Sequence, residues 1–262
     1  MPPEDFPEPS PHDLRTVAAM AVIASAAATF LHEAVGHGLT AWVRGDIPTE
    51  LTSNHLSSVR TDHWVEAGGT LVNLAVGAIA LLLSRSRGER ALSRYFLWLL
   101  AALNLLPGAG YFLFSGVLGV GDWQAVISDS SHQTALRIVM ASGGTLLYIA
   151  AVRLLAVAVK PFVSERKMYN RVGRWPYFVA GLFSCLAGFF DPMGLPLLIQ
   201  STVPAAFGGS SGLLWADSLL PGEDSKLRLT VGRSPLWWGA AIIAGFAYVA
   251  ILGPGIRFAP GG

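Results

Sequence analysis

Residues 31–38 read Leu31-His32-Glu33-Ala34-Val35-Gly36-His37-Gly38. Two histidines and a glutamate thus lie late in an otherwise apolar N-terminal segment. Ionisable side chains at membrane depth are costly and mark functional sites, so this stretch predicts a metal site inside a membrane helix. The alternative is a pair of packing histidines beside a hydrogen-bonded glutamate, which would place three costly side chains within six positions for packing alone.

The composition is that of a polytopic membrane protein. Of the 262 residues, 52% are hydrophobic and only 13% are charged, and the mean hydropathy is +0.50. Soluble domains carry about 25% charged residues. The net charge of +1 provides no basic surface and the sequence contains no nucleic-acid-binding motif, so a nucleic-acid partner is not expected. A single cysteine, Cys185, excludes an intrachain disulfide and a Cys-rich metal cluster.

The hydropathy pattern predicts an all-α membrane protein with about six spanning helices, because a bilayer core of about 30 Å requires roughly 20 apolar residues. Residues 1–13, Pro-rich and acidic, are expected to form a disordered tail. Residues 14–125 are expected to form a three-helix, metalloprotease-like core, and residues 126–262 a C-terminal membrane region without an assigned role. The spans are expected near residues 14–43, 65–84, 92–118, 135–159, 175–190 and 235–253, and residues 191–215 are expected to be re-entrant or interfacial.

Charge in the loops predicts the orientation of the spans. The two basic loops, at residues 85–94 and 160–174, fall on the same side in this count. The positive-inside rule places them in the cytoplasm together with the N-terminus. The first span then runs outward, and residues 32–37, Asn73 and Asp122 come to a similar depth near the other face. We expect an integral, multi-pass protein of the cell membrane.

The spacing of the two histidines departs from that of the common zinc helix. In His-Glu-x-x-His the histidines are four residues apart and share one helix face. Here His32 and His37 are five apart, and on a regular α-helix they would diverge by about 140° at 3.6 residues per turn. We therefore expect a π-bulge near Gly36, a distortion that is frequent at functional sites. The lengthened His-Glu-x-x-Gly-His pattern is also that of the dipeptidyl peptidase III family.

A zinc site needs a third protein ligand besides His32 and His37. Asp122 is the first candidate, because it follows a glycine at the end of an apolar span at a matching depth. Asp191 is a second candidate, although Asp-Pro and Gly-Asp are also ordinary turn sequences. A ligand separation of about 3–4 Å would fit tetrahedral zinc.

His63 and Glu66 flank the start of the second span and could also serve as ligands, although an interfacial position is expected for both. His12, His55 and His132 lie in polar segments and are expected to be solvated.

Asn73 is an amide within an apolar span. Its functional role would be to donate a hydrogen bond to a substrate carbonyl or a developing oxyanion. Its structural role would be hydrogen bonding between helices, and the sequence leaves both open. Asn104 and Pro107 are expected to break the third helix near the site, and Gly68, Gly69 and Gly77 suit close helix approach.

Three stretches together resemble the site-2 protease family of intramembrane zinc metalloproteases. Residues 32–37 resemble its His-Glu-x-x-His helix with one residue inserted. Residues 69–73 are similar to its Gly-Pro-x-x-Asn segment, with Thr70 where proline is usual, and residues 104–107 are similar to its Asn-x-x-Pro. The resemblance covers about residues 14–125. It implies His32, His37 and Asp122 as zinc ligands and Glu33 as the general base, although Asp122 lies farther from residues 104–107 than the family's aspartate does.

The sequence thus predicts an intramembrane zinc metallopeptidase that hydrolyses membrane-associated proteins or peptides. Zn²⁺ is the expected cofactor, Glu33 and Asn73 are the expected catalytic residues, and the lipid bilayer is the expected surrounding. Two alternatives remain open. One is a metal-binding, transport or regulatory membrane protein that keeps the fold without proteolysis, and the other is a metallohydrolase acting on a lipid or small amide. No oligomeric state is predicted.

Overall fold

The computed structural model describes residues 11–60, 62–222, 225 and 227–258. The described chain is mostly helical, as predicted. Residues 1–10 of the predicted tail lie outside the described residues. The main helices are α1 (Leu14–Phe30), a π-helix (Leu31–Leu39), α2 (Thr40–Val43), α3 (His63–Ser86), α4 (Ala91–Leu118), α5 (Asp122–Val126), α6 (Gln133–Val159), α7 (Trp175–Gly188), α8 (Gly194–Leu197), α9 (Gly212–Trp215) and α10 (Pro235–Leu252). Shorter 3₁₀ and π segments are Lys160–Phe162, Arg166–Met168, Asn170–Arg174, Leu198–Thr202, Pro204–Gly209 and Ala216–Leu219.

Five helices in the described part of the chain are long and apolar enough to cross a membrane, which is compatible with a multi-pass membrane protein. They are Leu14–Val43, His63–Ser86, Ala91–Leu118, Gln133–Phe162 and Pro235–Leu252. The span expected at 175–190 is not among them. Helix α7 has 14 residues, about 21 Å at 1.5 Å per residue, which is shorter than a bilayer core of about 30 Å. The predicted number of about six is therefore reduced to five.

Glycines bring the π-helix and α3 into backbone contact. A Cβ added to Gly36 would collide with the backbone of Gly68 and Gly69. Farther along α3, a Cβ on Gly77 would lie 2.6 Å from Leu105 Cγ on α4. Small residues let membrane helices approach closely, and the predicted role of these glycines is confirmed. The close approach fixes the π-helix against α3 and so positions both histidines.

A small antiparallel sheet lies beside the π-helix. Its strands are β1 (Pro48–Leu51), β2 (Leu56–Ser58) and β3 (Ile256–Arg257), in the order β2-β1-β3. The hairpin of β1 and β2 lies in the polar segment between the first two membrane-length helices. The third strand comes from the C-terminal end, which was not predicted. Leu56 of β2 lies against the π-helix, since its Cδ1 would be 3.4 Å from a Cβ on Gly38.

The start of α4, just after the first basic loop, contacts the second basic loop. The Tyr95 hydroxyl, next to the first basic loop, donates to the Val172 carbonyl in the second at 2.9 Å. His12 is buried at the same end with 2% exposure. Its Nδ1 accepts from the Val231 N–H and its Nε2 donates to the Phe162 carbonyl. The expectation that His12 is solvated is therefore wrong, and burial lowers the pKa of its imidazole.

Candidate metal centre

The π-helix turns the two histidines toward each other. Its hydrogen bonds join residues five apart, so positions 32 and 37 lie on the same face, as two residues four apart do in an α-helix. The Nε2 atoms of His32 and His37 are 3.2 Å apart, and both residues are buried. The predicted distortion near Gly36 is confirmed, and it extends over the nine residues Leu31–Leu39.

Asp122 completes the cluster from the far end of α4. Helix α4 ends at Leu118, and Gly119 and Gly121 follow with φ of +68° and +82°, which L-residues rarely adopt. This turn brings Asp122, the first residue of α5, back to the π-helix. Its Oδ2 lies 3.4 Å from His32 Nε2 and 3.5 Å from His37 Nε2. The three residues predicted as metal ligands are therefore brought together and could hold a metal ion.

The distances suit a tetrahedral ion. With bond lengths of about 2.0–2.2 Å, tetrahedral ligand atoms lie about 3.3–3.6 Å apart. The observed separations of 3.2, 3.4 and 3.5 Å agree with this geometry. Three protein ligands leave a fourth position open, as in catalytic zinc sites.

The surroundings of the imidazoles fix which atoms face the centre. The His37 Nδ1–H donates to the Val65 carbonyl at 2.7 Å, which leaves Nε2 as an acceptor. A second hydrogen bond of this kind is typical of metal-bound histidines. The His32 ring stacks on Tyr111, with centroids 5.3 Å apart. An imidazole lone pair and a carboxylate oxygen thus converge on the same point, an arrangement that a cation stabilises.

Glu33 and Asn73 lie on one cavity next to this cluster. Glu33 is 6% exposed and Asn73 is 4% exposed, and both line a cavity of about 100 Å³ that also reaches His32. Within the described chain, the Asn73 Oδ1 is buried without a hydrogen-bond partner. Helix α4 continues through Asn104 and Pro107, so the predicted break of the third helix is wrong. Pro107 lines the same cavity. The two predicted catalytic residues, Glu33 and Asn73, therefore line the same cavity as the candidate metal ligand His32.

Asp191 is not brought to the two histidines. Its carboxylate Oδ2 accepts from Asn54 Nδ2 at 3.2 Å and lies 3.4 Å from His55 Nδ1. Of the two candidate third ligands, the structure therefore places only Asp122 beside His32 and His37. His55, which was expected to be solvated, is partly buried, and its other nitrogen lies 3.4 Å from Glu50 Oε2.

Three other polar residues of the sequence prediction, His63, His132 and Asn104, do not join the cluster. His63 is half exposed and lies 3.4 Å from the exposed Asp129 carboxylate. His132 is exposed, as expected. Asn104 is fully buried and its side-chain amide donates to the Leu100 carbonyl. None of these three is among the residues that line the cavity.

Sequence reasoning missed the hydroxyl-bearing residues of the cavity. Ser25 and Thr29 lie four residues apart on α1, and Thr29 is four residues before Glu33, so the three follow one helix face. That spacing was the signal available in the sequence. Others come from the C-terminal region, to which no role was assigned, and their contribution could not be read from local pattern. They are Ser184, Ser201, Thr202 and Ser210.

Comparison with protein-family models, curated proteins and solved structures finds no match to this chain. The resemblance to the site-2 protease family therefore rests on the three short sequence stretches alone.

Proposed function

We propose that this protein is an integral membrane zinc metallopeptidase. One observation carries the proposal: the Nε2 atoms of His32 and His37 and the Asp122 carboxylate lie within 3.5 Å of one another, and a cavity runs from His32 to the adjacent Glu33. A buried set of two imidazoles and one carboxylate, with a free carboxylate beside it, is the donor set of hydrolytic zinc sites.

The chain's own groups have distinct tasks in this reaction. A zinc ion bound at the three ligands would lower the pKa of a water molecule toward about 7 and polarise the scissile carbonyl. The Glu33 carboxylate is placed to accept a proton from the attacking water and to pass it to the leaving amine. The Asn73 amide donates a hydrogen bond to the carbonyl oxygen as negative charge develops there. Its buried position on the cavity fits this task.

The substrate is a locally extended peptide, because a helix hides its carbonyl groups in hydrogen bonds. Strand β2 lies at one edge of the sheet and contacts the π-helix through Leu56. An extended peptide can add to such an edge through main-chain hydrogen bonds. This arrangement would hold the scissile bond near the ligands.

The test is hydrolysis by the purified, zinc-loaded protein in detergent. We expect it to cleave a mixture of synthetic peptides and, in H₂¹⁸O, to introduce ¹⁸O into the new C-terminal carboxylates detected by mass spectrometry. The chelator 1,10-phenanthroline should abolish cleavage and added zinc should restore it, whereas the non-chelating 1,7-isomer should have no effect. A zinc-loaded protein that cleaves no peptide would contradict the proposal and favour a metal-binding or transport role.

A further inference from the structure

The C-terminal half of the chain forms one wall of the cavity beside Glu33. On one side it is bounded by α1 and α4, through Ser25, Thr29 and Tyr111. On the other side it is bounded by α7, through Ser184, and by the irregular segment 198–210. The loop between β1 and β2 contributes a further part of the wall. The cavity is thus a pocket extending away from the metal cluster on the Glu33 side.

The lining of this cavity is mostly apolar and almost uncharged, with several hydroxyl and amide groups. Its polar groups are hydroxyls and amides, and the only ionisable side chains named along its described wall, apart from Tyr111, are His32 and Glu33. The Ser53 Oγ and the Asn73 Oδ1 are both buried without a partner in the described residues. Buried polar groups in native proteins are normally hydrogen-bonded. Both residues belong to the cavity wall, so a bound ligand that can form hydrogen bonds would supply the missing partners.

Charged groups are a poor match for this wall. A charge taken from water into a buried space costs several kcal/mol unless a partner of opposite sign receives it. Glu33 is the only carboxylate among the described residues that line the cavity, and the proposed reaction requires it to exchange protons with water. An acidic side chain would be repelled by Glu33, and a basic one would hold it in an ion pair.

The size of the cavity favours a small group. Its volume is about 100 Å³. Apolar protein cavities that hold a benzene ring have about 150 Å³. A methyl or hydroxymethyl group therefore fits this space better than an aromatic ring does.

We propose that this cavity is the subsite for one small, uncharged substrate side chain, of Gly, Ala, Ser or Thr, next to the scissile bond. The inference rests on the proposed peptidase function and specifies its substrate class. A hydroxyl on the substrate can bond to Ser53 Oγ or to the Asn73 amide. Specificity then follows from a site built jointly by the metal-binding helices and the C-terminal half.

Cleavage-site profiling of a peptide library tests the subsite. We expect one position flanking the cleaved bond to favour Gly, Ala, Ser and Thr over aromatic and charged residues by about 100-fold, the range that pocket size can produce. Ser184→Leu fills the cavity and should shift the preference toward Gly by about 10-fold. The matched variant Thr145→Leu, on the exposed face of α6, should keep the wild-type profile. Equal cleavage beside aromatic or charged residues would overturn the inference.

A second measurement does not depend on activity. In a Cys185→Ser background, Ser53→Cys places a thiol on the cavity wall and Ser128→Cys places one at an exposed position. For each reagent, the reaction rate of the thiol at position 53 is divided by that of the thiol at position 128. This ratio should be at least about 10-fold higher for neutral methyl methanethiosulfonate than for its charged sulfonatoethyl and trimethylammonioethyl analogues.

The outcomes separate the two proposals. Equal relative rates with all three reagents, or no reaction of the position-53 thiol with the neutral one, would overturn the inference about the cavity. Absence of any cleavage by the zinc-loaded protein would overturn the peptidase function, and the modification rates would still decide which groups the cavity admits.

Discussion

Glu33→Gln is expected to reduce peptide hydrolysis by about 10³-fold while one zinc ion remains bound. Glutamine keeps the size of the side chain on the cavity wall but cannot accept a proton. General acid–base catalysis by a positioned side chain contributes about 10²–10⁴-fold, and about 10³-fold corresponds to roughly 4 kcal/mol of barrier. The measurement is kcat for a cleaved peptide, together with zinc content by elemental mass spectrometry.

Glu89→Gln is the matched control for this variant. Glu89 is exposed in the turn between α3 and α4, and it does not line the cavity. We expect kcat of Glu89→Gln to stay within about 2-fold of wild type. If Glu33→Gln cleaves peptides as fast as the parent protein, Glu33 is not the general base.

Gly69→Ala is expected to lower zinc affinity by about 100-fold or more without unfolding the protein. A Cβ at this position would lie 2.5 Å from His37 Nε2 and 2.6 Å from His32 Nε2. Contacts shorter than 3.0 Å do not persist, so the rings must move by about 0.4–0.5 Å. Metal sites tolerate deviations of only about 0.2 Å in bond length. Because the atoms in the way are ends of side chains, the helices can keep their packing while the ligand atoms separate.

Gly77→Ala is the matched control on the same helix. Its Cβ would crowd Leu105, with 2.9 Å to the backbone nitrogen, so it should lower the melting temperature more than Gly69→Ala does. A Cβ at position 77 contacts none of the proposed metal ligands. The zinc affinity of Gly77→Ala should therefore stay within about 3-fold of wild type. Zinc affinity is measured by competition with a chromophoric chelator. Unchanged zinc affinity in Gly69→Ala would contradict the arrangement of His32 and His37 described above.

The local features of the site could be predicted because they depend on short-range rules. The five-residue spacing of His32 and His37 requires an extra residue per turn if both rings are to face one way. The small residues Gly36 and Gly69 then indicate where two backbones meet. The depth of Asp122 followed from span lengths and the charge of the loops alone.

The long-range features could not be predicted from a single sequence. The contacts of His12 with Phe162 and Val231 join segments that are more than 140 residues apart, and β3 pairs with β1 across the whole chain. The cavity wall formed by α7 and residues 198–210 is also a long-range feature, because these residues lie across the cavity from α1 and α4. Local sequence periodicity does not indicate which distant segment a loop contacts. The position of the C-terminal half on the cavity wall therefore became known only from the structure.

Zinc content and zinc K-edge X-ray absorption of the purified protein test the central claim most directly. The account predicts one zinc ion per chain, coordinated by two imidazoles and oxygen at about 2.0–2.2 Å. Asp122→Asn should lose this zinc, with an affinity at least about 100-fold lower, whereas Asp191→Asn, which alters a buried carboxylate outside the cluster, should retain it. A protein that binds no zinc, or one whose Asp122→Asn variant keeps the same imidazole coordination and affinity, would contradict the metal centre formed by His32, His37 and Asp122.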